Sequence, residues 1–290
     1  MTKTTINLFQ IVCLSVMAYA AGTLFTIILM HANGTAQSAG IAVQPAQTPT
    51  SILYVAYLLV SIVLMAVMFR YKKAFFQKLL SRGFVFISAY YIFGSVLMLI
   101  LYPGVALGLP LLPIEVISLF SGCVIAYLWY RSIGSLNIYA FIIAVATIGA
   151  VASSFSPFWI LIIFIIMAVW DLIAVFKLKF MQALAGIAIN GDGKRTYPLF
   201  IYAGNMSKLR DKLTGKPVDE DRPALLGLGD IIIPGAFMAS AVVSWHSSVY
   251  LFSLALALGL VVNMAISSKY KRGIPALPVM LAFSILAVVL

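Results

Sequence analysis

Long apolar runs follow one another along almost the whole chain, and the charged residues are confined to the segments between them. Nine such runs lie near 8–30, 51–69, 83–102, 113–130, 135–153, 157–176, 223–243, 248–266 and 275–290. Most approach the roughly 20 residues that an α-helix needs to cross a bilayer; the last is shorter. Backbone N–H and C=O groups in hydrocarbon must be satisfied within the protein, which leaves helices or closed barrels. A barrel needs alternating segments of about ten residues, and these runs are continuous. Composition agrees. Of 290 residues, 63% are hydrophobic and 9% charged, against about 25% charged in a soluble domain. The expected fold is all-α: a polytopic membrane protein with nine transmembrane helices.

The charges orient it. Lys3 precedes the first run. Arg70, Lys72, Lys73, Lys78 and Arg82 lie between the second and third, and Arg131 follows the fourth. Nine more basic residues lie between the sixth and seventh, and Lys269, Lys271 and Arg272 precede the ninth. Successive helices reverse direction, so all nineteen fall on one side. The positive-inside rule makes that side cytoplasmic, with the N-terminus inside and the C-terminus outside. A multi-pass protein of the cell (plasma) membrane is expected. The net charge of +11 is then a matter of topology and anionic headgroups, and no nucleic acid is expected as a partner.

The first run has a rival reading. Lys3, the apolar stretch and Ala18-Tyr-Ala20 resemble a cleaved signal peptide, but the run continues unbroken to Met30 and fits a retained helix better. Residues 31–50 are polar and small and read as an outer loop, with Asn33-Gly-Thr35 matching a glycosylation sequon. Residues 177–222 form the only long cytoplasmic segment. They carry a turn signal at Gly191-Asp-Gly193 and strand character over 195–202, weakened by Pro198. Cys13 and Cys123 fit no metal-ligand spacing and read as apolar packing residues. No metal and no cofactor is expected.

Of the eight acidic residues, five lie in segment 177–222; the others are Glu115, Asp171 and Asp230. Glu115 is near the outer end of the fourth run, within reach of the interface. Asp171 and Asp230 are inside apolar runs, where an ionisable group is costly and marks a functional site by default. Asp171 precedes Lys177 by six residues and Asp230 follows Arg222 by eight. At 1.5 Å per residue they lie roughly 9 and 12 Å below the same membrane face. The sixth and seventh runs are antiparallel neighbours, so the two carboxyls can meet across a helix contact.

Gly227 and Gly229 remove side chains beside Asp230, and Pro234 weakens the helix just beyond it. Residues 273–278 hold Pro275 and Pro278, which leave backbone groups free to bond an extended peptide. Two close carboxyls share a proton. One can take a proton from an attacking water while the other donates to a peptide carbonyl. A His-Glu-x-x-His metalloprotease is excluded, and so is a histidine-dependent serine protease. The only histidines, His31 and His246, are near the outer face. The spacing alone does not separate proteolysis from a proton-coupled transporter or cation-leak channel built on the same pair.

Leu226-Gly-Leu-Gly-Asp230, with Asp171 on the preceding run and Pro275-Ala-Leu277 before the last, resembles the presenilin and signal peptide peptidase family of intramembrane aspartyl proteases. The same three elements occur there in the same order on the sixth, seventh and ninth of nine helices. The resemblance implies an intramembrane aspartic endopeptidase with Asp171 and Asp230 as catalytic pair. Gly227, Leu228 and Gly229 would shape the approach of substrate, and Pro275, Ala276 and Leu277 would hold it extended. Residues 1–156 would be scaffold and 157–290 the catalytic part. Trp170 departs from the pattern, standing where the family usually has Tyr. Type IV prepilin peptidases share Gly-x-Gly-Asp, but a basic residue usually follows it there, whereas Ile231 follows here. The orientation is similar to that of presenilin and implies transmembrane helical substrates whose N-termini lie outside. The compact chain is similar to a prokaryotic, archaeal-type homologue acting without partner subunits, with homo-oligomerisation left open.

Overall fold

A computed structural model describes residues 3–38, 86, 87, 89, 90, 112–128, 133–176, 200–203, 224–270 and 275–289. Seven helices and two short strands are described: α1 (Lys3–Ser38), α2 (Leu112–Leu128), α3 (Ile133–Ser154), α4 (Pro157–Phe176), β1 (Phe200–Ala203), β2 (Ala224–Gly227), α5 (Gly229–Trp245), α6 (Val249–Tyr270) and α7 (Leu277–Val289). The segments Phe9–Met30, Asn137–Ser154, Pro157–Phe176 and Val249–Ser267 are long and apolar enough to cross a membrane; α5 and α7 are shorter apolar helices. The runs expected over 51–69 and most of 83–102 lie outside the described residues, as does segment 177–222 apart from β1.

Three boundaries differ from the sequence-based expectation. The run at 223–243 is not helical from its start. Residues Ala224–Gly227 are a strand, antiparallel to β1 in the register Phe200↔Gly227 to Ala203↔Ala224. Ala-Leu-Leu-Gly is apolar enough to continue a helix, but Gly227 and Gly229 weaken helix by up to about 1 kcal/mol each, and pairing with β1 satisfies the backbone instead. The all-α expectation therefore needs this two-stranded sheet added. The run at 275–290 becomes helical only at Leu277, leaving Pro275 and Ala276 before α7. At the N-terminal end, the helix runs through to Ser38 and takes in eight residues read as outer loop. Its 36 residues span about 54 Å at 1.5 Å each, well beyond a hydrocarbon core of about 30 Å.

The core is built around α5. It packs against α1, α3, α4, α6 and α7, and ten of its residues, from Asp230 to Ala241, are buried. Small residues let the backbones close up, as lipid-embedded helix contacts require. A Cβ on Gly235 would come within 2.6 Å of the Ile148 side chain and 3.0 Å of the Tyr19 ring, and one on Gly22 within 2.5 Å of Ile148. Ile148 of α3 thus plugs a gap between α1 and α5 that only glycines leave open. On the other side of α5, Phe237 meets Phe164 of α4 and Phe252 of α6 edge-on at 6.3 and 5.9 Å. The Ser240 hydroxyl donates to the Phe155 carbonyl at 3.0 Å, tying α5 to the α3–α4 corner. Cys13 is half-buried, and Cys123 is exposed on α2 rather than packed.

Candidate functional site

Helix α4 is apolar all round apart from Asp171, yet only one stripe of it faces the protein. Pro157, Ile160, Ile163, Phe164, Ala168, Asp171 and Ala174 are buried, the three-and-four spacing of a single helix face. Asp171 lies on that stripe, 4% exposed, while its neighbour Trp170 is 37% exposed. One residue along a helix turns the side chain by about 100°, so Trp170 points away from the direction Asp171 takes.

What Asp171 meets is the N-terminus of α7. The Leu277 amide donates to its Oδ2 at 3.3 Å, and the Ala276 amide is also directed at this carboxyl. The first amides of a helix have no partner within it, and a carboxylate is their natural acceptor. The Ala276 carbonyl accepts the first helical bond of α7, from Met280 N–H at 3.0 Å. Pro275, Ala276 and Leu277 are all buried. The Pro-Ala-Leu segment therefore caps its own helix with an aspartate from α4.

Asp230 stands in a matching position, in the first turn of α5. Its carboxyl is 9% exposed and takes a bond from the Gly227 amide, at the end of β2. Leu228, buried, makes the corner; its carbonyl accepts the Ile231 and Ile232 amides at 3.0 and 2.8 Å. Gly229 is exposed, and a Cβ built on it would meet nothing within 4 Å. The backbone at Gly229, next to Asp230 in sequence, thus borders open space. Four residues on, Pro234 has no N–H, so the helical bond to the Asp230 carbonyl cannot form and the first turn of α5 is loosened.

Asp171 and Asp230 lie within electrostatic reach of each other. Two elements separated in sequence, the strand–helix corner at 227–230 and the buried segment at 275–277, thus each supply backbone amides to one carboxyl of a pair. Two features went unread in the sequence. One is the reason for Pro-Ala-Leu just described. The other is Tyr19 of α1, fully buried, with a hydroxyl that has no hydrogen-bond partner among the described residues, and within electrostatic reach of Asp230. A signal for it existed: tyrosines of transmembrane helices collect at the interfaces, and this one sits mid-run among Ala18, Ala20, Ala21 and Gly22.

The fold is shared with known proteins. A presenilin family intramembrane aspartate protease solved in a P2 crystal form matches with a TM-score of 0.57 and 20% identity, covering 94% of each chain. One solved in a C222 crystal form matches at 0.54 and 18%, covering 94% of this chain and 93% of that one. No curated protein sequence matches. Residues 13–289 match the family model described as signal-peptide peptidase, presenilin aspartyl protease, and the chain belongs to that family of membrane-embedded proteases.

Proposed function

We propose that this protein is an intramembrane aspartic endopeptidase that hydrolyses peptide bonds within or near transmembrane segments of membrane proteins. One observation carries the reading: two buried carboxyls from different helices, Asp171 and Asp230, lie within electrostatic reach of each other, with open space at Gly229, the residue before Asp230. The two share one proton, because a second negative charge in a buried site is costly. The unprotonated carboxyl takes a proton from water as its oxygen attacks the peptide carbonyl carbon. The protonated one donates to the carbonyl oxygen, and a proton then passes to the leaving amine. No bond between enzyme and substrate forms.

A helical substrate must unwind locally before a carbonyl can be reached. The edge of the two-stranded sheet ending at Gly227 offers backbone groups on which an extended peptide can pair. We assign this binding to Gly227, Leu228 and Gly229, with Pro275, Ala276 and Leu277 closing the site from the other side. Catalysis is assigned to residues 157–290 and scaffolding to 1–156, with the N-terminus cytoplasmic and the membrane that of the cell surface.

The test is cleavage of a single-span substrate by purified protein in bilayers. Asp171→Asn and Asp230→Asn each retain shape and lose the proton chemistry, and each is expected to reduce cleavage by at least about 10⁴-fold, as loss of a triad member does elsewhere. Wild-type protein that cut no substrate while passing ions in an aspartate-dependent way would overturn the reading.

A further inference from the structure

We infer that Tyr19 is a positioning residue for the reaction, its phenol O–H donating to the Asp230 carboxyl when substrate is bound. The inference rests on the proteolytic reading and adds to it a group from α1, outside the two helices that carry the aspartates.

The geometry is unusual for a core tyrosine. The residue is 0% exposed, and its hydroxyl is one of two buried side-chain polar atoms without a partner among the described residues. A buried tyrosine normally finds a partner for its O–H, and leaving that bond unmade is costly. A phenylalanine would fill the same place without that cost, so packing does not explain the hydroxyl. The neighbours do. Ring atom Cδ1 lies 3.0 Å from where Gly235 would carry a Cβ, so α5 has given up a side chain to admit this ring five residues beyond Asp230. Asp230 is within electrostatic reach of the phenol.

The acceptor can come to it. Pro234 deprives the Asp230 carbonyl of its helical bond, and nothing within 4 Å would crowd a Cβ at Gly229. The first turn of α5 therefore lacks one of its helical bonds. A substrate strand entering beside Gly229 needs only to shift this turn to bring carboxyl and phenol together. The reaction would then have a fixed donor on the carboxyl oxygen that is not exchanging protons. This role is independent of residue 170, whose side chain leaves the site.

The experiment is Tyr19→Phe in the full chain, reconstituted in bilayers, with kcat and KM for a single-span substrate, affinity for a hydroxyl-containing peptide isostere, and Tm. The expected result is a kcat lowered about 10- to 100-fold with KM within twofold, weaker isostere binding, and Tm unchanged or raised. Unchanged kcat with raised Tm would make the hydroxyl a mere orphan of the core and overturn the inference. A raised KM at unchanged kcat would overturn it as well, by moving the hydroxyl to the substrate. Should Phe disturb folding, Tyr19→Leu, lacking ring and hydroxyl alike, serves as reference: Phe and Leu losing kcat equally with equally lowered Tm would assign the effect to packing and overturn the inference. Wild-type protein that cleaves nothing would instead overturn the protease reading, and this inference with it.

Discussion

Gly229 is a position where the demands of the fold and those of the proposed reaction can be told apart. In the structure its missing side chain serves no packing purpose, since a Cβ there would meet nothing within 4 Å. It is the first residue of α5, where alanine is favoured over glycine by up to about 1 kcal/mol. Gly229→Ala is therefore expected to leave Tm unchanged or slightly higher. If substrate backbone passes through the open space, the added methyl takes part of it, and Gly229→Val takes more. The expected outcome is a loss of kcat/KM of about tenfold for Ala and at least 100-fold for Val, carried mainly by KM. Two variants as active as wild type would show that the peptide does not run beside Gly229. Trp170 illustrates the opposite case. It stands where the family usually has tyrosine and adjoins Asp171 in sequence. On a helix, adjacency in sequence means divergence in space, and 37% exposure places its ring on the outer face.

At the scale of elements, legibility depended on whether burial leaves a mark on composition. In water, it does: the buried face is apolar and the outer face polar. In lipid both faces are apolar, so α4 shows seven buried positions that no hydrophobicity pattern could pick out, and only the aspartate betrays the inward stripe. The same ambiguity hid β2. Ala-Leu-Leu-Gly reads equally as helix or strand, and the pairing with β1 that decides it is made by residues over twenty positions away. The proline and glycine pattern did register as weakness, but not as the strand–helix corner that aims Asp230. The corner gives β1 a role that can be tested. Ile201 and Tyr202 pair with Leu226 and Leu225, and in an antiparallel ladder consecutive residues send their N–H to opposite edges. A proline at the residue that donates to β2 removes a ladder bond worth about 0.5–1.5 kcal/mol and slackens the strand leading to Gly227. One of Ile201→Pro and Tyr202→Pro is expected to lower kcat about 3- to 10-fold with helix content by circular dichroism unchanged. Full activity in both would show that the sheet does not position Asp230.

For the molecule as a whole, what could be read earliest was the depth of the chemistry. Asp171 lies six residues before Lys177 on a helix that continues to Phe176, which under the positive-inside reading puts it roughly 9 Å inside the cytoplasmic face. Asp230, on the neighbouring helix α5, lies within electrostatic reach of it. A site fixed in depth selects bonds by distance from the interface before it selects them by side chain. An unwound strand advances about 3.3 Å per residue and a helix 1.5 Å, so the cut should fall about three to six residues inside the cytoplasmic end of the substrate's apolar segment. For a substrate with its N-terminus outside, the shorter product then carries the basic cytoplasmic flank. Mass spectrometry of the products locates the bond. Inserting three leucines between that bond and the basic flank distinguishes depth from sequence. A cut measured from the interface stays at the same distance from the flank and moves to a new residue pair, whereas a cut chosen by side chains stays with its original pair. Cleavage near the outer end of the segment, or at one residue pair regardless of the insertion, would place the reacting carbonyl where this pair of carboxyls does not reach.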